Sequence, residues 1–216
     1  RDILCLETGP QDERAPAIVM SQTPQPSESG PWGGMAAMSW LLSDNPEAVA
    51  SRTTHRVSFL PCTNPDGIVH GHGVSDGQGR FPFFDAHLSV SNDPRALPEM
   101  TAVWRRVVAQ RPWLFIEWHS NNWSRRPGHM LLRYEHNLIE DAARRRLWDA
   151  WEEALLQLPH THHGNWTGPD RGMYQGTLGY AAAARLGSIA CMIKHHARFQ
   201  VDAIQDHATA CLRSAI

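Results

Sequence analysis

The stretch that most constrains this chain is Phe115-Ile116-Glu117-Trp118-His119-Ser120, the end of an apolar run over residues 113–119. A strand that stops at a His carries it to the end of a sheet, and ligands of open α/β sheets bind beyond the carboxyl ends of the strands. Glu117 and His119 are two residues apart and therefore share one face of that strand. Other apolar runs over residues 2–6, 17–20, 55–60, 130–134 and 189–193 read as further strands. Helical spacing runs over residues 32–43, for about fifteen residues from Asp93-Pro94, over 137–158, through an Ala-rich segment before 189, and from Val201 onward. Asp44-Asn45-Pro46 stops the first helix, while 64–92 and 160–175 read as glycine- and histidine-rich loops. Strands alternating with helices, without internal repeats, predict a single α/β domain over residues 1–216. Its expected sheet is mixed and mostly parallel, with helices on both faces.

The 216 residues suffice for a full core, and the net charge of -2 argues against nucleic acid or an anionic membrane as the main partner. No apolar run reaches the roughly 18 residues of a membrane span. The chain starts at Arg1 and enters an apolar run at once, which leaves open whether it is a fragment. Cys5, Cys62, Cys191 and Cys211 show no paired spacing and read as thiols rather than a disulfide framework. Cys62 reads as structural, not nucleophilic. The 13 His are the more informative count, because His is the commonest metal ligand.

Glu28 follows one strand and His119 ends another. A carboxylate and an imidazole brought together at strand ends are two ligands of a catalytic zinc, which needs three protein ligands and an open position. Gln25, one turn before Glu28, is placed to be the third. His70 and His72 are alternative sources of an imidazole, and His195 and His196 read as a surface pair at a strand end, with a neutral base as the alternative. His160-Thr161-His162-His163 reads as an exposed polar loop.

Three pieces, Gln25-Pro26-Ser27-Glu28, Asn64-Pro65-Asp66-Gly67 and Glu117-Trp118-His119-Ser120, resemble in order and spacing the zinc carboxypeptidases of the funnelin group. The resemblance covers nearly the whole chain and starts one strand late. It implies that Gln25, Glu28 and His119 bind zinc, that Arg80 polarises the scissile carbonyl, and that Tyr174 closes on substrate, with Tyr180 a weaker candidate. The implied partner is a peptide or an acylated small molecule.

Three positions depart from the family's pattern. Gln25 stands at the His of H-x-x-E and can offer only an amide oxygen. The segment around His87 replaces the Asn-Arg pair that clamps a terminal carboxylate, leaving His87 as the candidate substrate contact. Lys194 stands where the family has its Glu base, and a protonated Lys cannot take a proton from water. Glu117 reads as an orienting acid rather than a replacement base. Two functions follow: a zinc-dependent hydrolase of peptide or amide bonds, with a deacylase as a variant on the same metal set, or a pseudoenzyme that binds a peptide or metabolite in the same cleft.

Overall fold

The computed structural model describes residues 1–22, 25–28, 30–121, 128–134, 138–164, 175–196 and 198–216. Among these the strands are β1 (Leu6–Thr8), β2 (Ala17–Gln22), β3 (Arg56–Leu60), β4 (Leu114–Asn121), β5 (His129–Arg133), β6 (Thr161–His163) and β7 (Ile189–His196). They form one sheet in the order β1-β3-β2-β4-β7-β5-β6. The centre is parallel, β3 to β2 to β4 to β7. Antiparallel pairing occurs where β1 meets β3 and where β5 meets β7. The sheet is therefore mixed and mostly parallel, as the alternation of strands and helices predicts.

The helices are α1 (Gly30–Leu41), α2 (Pro46–Thr54), α3 (Pro65–Val69), α4 (Ala86–Val90), α5 (Pro98–Gln110), α6 (Ala142–Leu156), α7 (Leu178–Leu186) and α8 (Val201–Ala215). They cover both faces, because a central parallel strand is apolar on both sides. Leu114, Ile116 and Trp118 of β4 pack with Met38 of α1, Trp148 of α6 and Ala208 of α8. Phe115 faces the other way, among Val103 and Val107 of α5 and Ala182 of α7. Glu117 and His119 continue the Phe115 row, so they lie on the α5/α7 side of the sheet.

Several boundaries differ from the sequence reading. Asp44-Asn45-Pro46 does end α1, but it also starts α2: the Asn45 side chain accepts a hydrogen bond from the Glu47 N–H at 2.9 Å, with Pro46 in the first turn. The helix expected from Asp93-Pro94 begins at Pro98, because Asp93 is engaged by Arg95 in a local turn. Asp141 caps α6, so among the described residues 138–141 lie outside that helix. The first strand is Leu6–Thr8 rather than 2–6, since these residues pair with β3. The His-rich segment at 160–163 is not simply a loop: Thr161–His163 pairs in parallel with β5. β7 continues through Lys194, His195 and His196, three residues beyond the expected end.

Candidate metal centre

Two loops and the end of β4 converge at the carboxyl edge of the parallel strands. After β2 the chain turns through Gln25–Glu28, the Glu28 N–H donating to the Gln25 carbonyl at 3.2 Å. The Ser27 N–H and hydroxyl both donate to the Gly73 carbonyl, at 3.0 and 2.6 Å, which ties this turn to the loop after β3. Asn64-Pro65-Asp66-Gly67 builds the other half of the junction. The Asn64 side chain caps α3 by accepting from the Gly67 N–H at 2.9 Å and donates to the Ser75 carbonyl at 3.1 Å. A Cβ on Gly67 would lie 2.5 Å from the Ser75 oxygen and 2.6 Å from Pro26, so only glycine lets the two loops close.

That closure sets Glu28 against the end of β4. Glu28 Oε2 accepts from His119 Nδ1 at 2.7 Å and from the Ser120 N–H at 3.2 Å. His119 is fully buried, packs edge-on against Phe83 at 4.9 Å, and its Nε2 has no hydrogen-bond partner. Burial alone would raise the Glu28 carboxyl, but His119, Lys194 and the Ser120 N–H together hold it below its ordinary value. Lys194 pairs with His119 in register across β4 and β7. Burial pulls its ammonium down, against the attraction of Glu28 and Glu117.

Glu117 is buried on the same face, where burial pushes its carboxyl up. The Tyr134 hydroxyl donates to it at 2.7 Å, and the Thr177 hydroxyl donates to Tyr134 at 3.0 Å. Glu117 therefore anchors β4 to β5 and to the start of α7. Tyr134 was legible only as the end of a strand.

The other sequence candidates fall as follows. Gln25 is half-buried in the turn, one residue before Pro26. Arg80 lies on Asp76, a buried carboxylate that takes its Nε and Nη2 at 2.9 Å each and also accepts the Gln78 and Arg80 N–H groups at 2.8 Å. Its Nη1 makes only a 3.5 Å contact with the Arg95 carbonyl. Asp76, four residues before Arg80, escaped the sequence reading although its spacing suits a loop clasp. His87 is exposed at the start of α4, with Nδ1 3.0 Å from the Phe84 carbonyl. Tyr174 lies outside the described residues, and Tyr180 packs partly buried against the α5/α7 core.

Among the described residues, no third His, Cys, Asp or Glu joins Glu28 and His119 in a metal-sized group, so His70 and His72 do not complete it. His195 also stays away. It follows Lys194 on an extended strand and so points to the opposite face, where it stacks on Trp118 at 5.7 Å. His196 returns to the Lys194 face, buried, its Nδ1 accepting the Arg198 N–H at 3.1 Å. Cys62 is a half-buried free thiol that burial raises.

No family model matches the sequence, and no curated protein matches it. Solved structures do. The chain aligns with a metallo-carboxypeptidase from Pseudomonas aeruginosa, solved with (2-guanidinoethylmercapto)succinic acid, at a TM-score of 0.83 and 16% identity, over 99% of this chain and 60% of that one. A metallo-carboxypeptidase from Burkholderia cenocepacia gives 0.79 and 16%, over 97% and 59%. The tripeptide-bound cell shape determinant protein Csd4 from Helicobacter pylori gives 0.66 and 13%, over 99% and 54%. The chain thus spans about three fifths of the length of the two carboxypeptidases. Across that span it has the fold of the metallo-carboxypeptidases.

Proposed function

We propose that the chain is a metal-dependent hydrolase of peptide or amide bonds, with zinc held by Glu28, His119 and the amide oxygen of Gln25. The observation that carries this reading is the Glu28–His119 contact at the carboxyl edge of the sheet. The two donor atoms are 2.7 Å apart, and zinc bonds of about 2.0–2.1 Å need a separation of about 3.3 Å, a small side-chain adjustment. One further feature fits a cation there: Glu28 is held ionised. When bound, the metal supplies an activated water and a polarised carbonyl.

The chain's own groups do the rest. Arg80 offers its weakly engaged Nη1 edge to the carbonyl oxygen, with Asp76 holding the guanidinium in one orientation. Tyr174 covers the substrate. His87 contacts the substrate where a bidentate clamp is missing, which suits a peptide or acylated small molecule without a tightly gripped terminal carboxylate. Lys194 stands beside His119 and serves as base only in its neutral form, which burial favours.

A second reading rests on the same Lys194. Its ammonium lies close enough to interact with both Glu28 and Glu117, so the protein supplies its own cation to the two acids. A metal-poor binding protein for a peptide or metabolite would look like this. Assaying zinc-loaded protein against peptide and N-acyl amide substrates separates the two. The hydrolase reading expects turnover that disappears in His119→Ala; turnover unchanged by that substitution contradicts it. The binding reading expects no turnover together with retained peptide affinity.

A further inference from the structure

We propose that His129, His195 and His207 form a second metal site, on the opposite face of the sheet from Glu28 and His119, for a divalent transition ion of the zinc type. One ligating nitrogen from each lies within 4.8 Å of the others, and all three side chains are buried, at 2%, 0% and 7% exposure. The three come from separate elements: the start of β5, the end of β7 and the second turn of α8. Strand parity fixes the face. His195 continues the row of Cys191 and Ile193, and His129 that of Leu131, which all pack on the α1/α6/α8 side.

The packing is that of a built site rather than of three scattered core histidines. His195 and His129 face each other Nδ1 to Nδ1 at 3.0 Å, where only one proton fits between them. The His195 Nε2 is buried without a partner. His129 stacks on His207 at 3.8 Å and on Phe199 at 4.7 Å, while Trp118 lies flat against His195. Thr161 holds His207 Nε2 at 2.7 Å, the kind of outer contact that orients a metal-ligating ring. Gly33 is required for α1 to pass: a Cβ there would lie 2.6 Å from His195 Nε2.

Three imidazoles without a carboxylate select zinc, cobalt, nickel or copper over magnesium or calcium. Tetrahedral ligation places the nitrogens about 3.3 Å from one another, against separations here of up to 4.8 Å, so the widest pair closes while the 3.0 Å His129–His195 pair opens slightly. The site shares no residue with Glu28 and His119, and its proposal does not depend on the hydrolase reading.

The test is a cobalt(II) titration of metal-stripped His119→Ala protein, followed by visible absorption and by calorimetry. The expected result is about one cobalt per chain with the visible bands of a low-coordinate nitrogen site, and a loss of affinity of tenfold or more when His207→Gln is added. Glutamine keeps a polar partner for Thr161, and circular dichroism melting reports whether the variant folds; His129→Gln replaces it if it does not. No cobalt uptake by the His119→Ala protein overturns the proposal. So does uptake indifferent to both glutamine variants, which would place the metal on surface histidines such as His160 and His163.

Discussion

Lys194 and Gln25 bear most on the proposed centre, because at these two positions the resemblance to the zinc carboxypeptidases implies a base and an imidazole ligand. Lys194 is opposite His119 in the strand pairing and sits in the field of two acids. If the remaining parts of the site are intact, Lys194→Glu restores a carboxylate base and raises turnover of a peptide substrate at least tenfold, about 1.4 kcal/mol in the barrier. No gain in zinc-loaded Lys194→Glu would favour the binding reading. Gln25→His tests the ligand assignment by itself. Imidazole is the stronger zinc donor, so competition against a chelator should show affinity rising about tenfold or more; unchanged affinity would mean Gln25 is not a ligand. Tyr134 works differently. Tyr134→Phe leaves the buried Glu117 carboxylate short of a donor, and denaturant unfolding should show a loss of about 1–3 kcal/mol.

At the scale of elements, the central strands and the large helices were legible because their hydrophobic period is strong and their interiors are apolar. The sequence also brought Glu28 and His119 together, since both residues end strand-loop segments. What escaped was local. A proline after Asn45 reads as a stop, yet Asn45 caps a new helix; Asn45→Ala should lower stability by about 1 kcal/mol in thermal melting, whereas a residue that merely ended α1 would cost nothing. β6 was hidden because its three residues, Thr161, His162 and His163, carry no apolar alternation and are held by pairing with β5. The length of β7 mattered most. Ending that strand at Ile193 left His195 free to be imagined near Lys194, whereas three more extended residues put the two on opposite faces. His207 had a readable signal: it lies on the apolar face of α8, with Ile204, Ala208 and Cys211 at helical spacing.

For the whole molecule, the two faces of the sheet carry different chemistry. The α5/α7 face holds ionised Glu28 next to His119, and the α1/α6/α8 face buries three imidazoles. Burial lowers His129 to about 4, with nearby His160, His162 and His196 adding to the effect. Burial lowers His207 to about 3, and His195 falls well below its ordinary value. In the unfolded chain these groups take up protons near pH 6.5, while the folded protein does not until far lower pH. The unfolded state therefore binds more protons below pH 6.5, and metal-free protein loses stability as pH falls from about 6.5 toward 4. Melting temperatures should decline steadily across that window, and His207→Gln should make the decline shallower; a flat profile in the parent would contradict the buried neutral cluster.

The central claim, that Glu28 and His119 form the metal centre of this carboxypeptidase fold, is tested most directly by zinc content. Elemental analysis of protein purified in metal-free buffers, loaded with excess zinc and freed of unbound metal, should be run in the His207→Gln background, which weakens the other candidate site. The account predicts about one zinc per chain in that protein and loss of nearly all of it on adding His119→Ala. Zinc content unchanged by His119→Ala, or no zinc taken up before it is made, would contradict the claim.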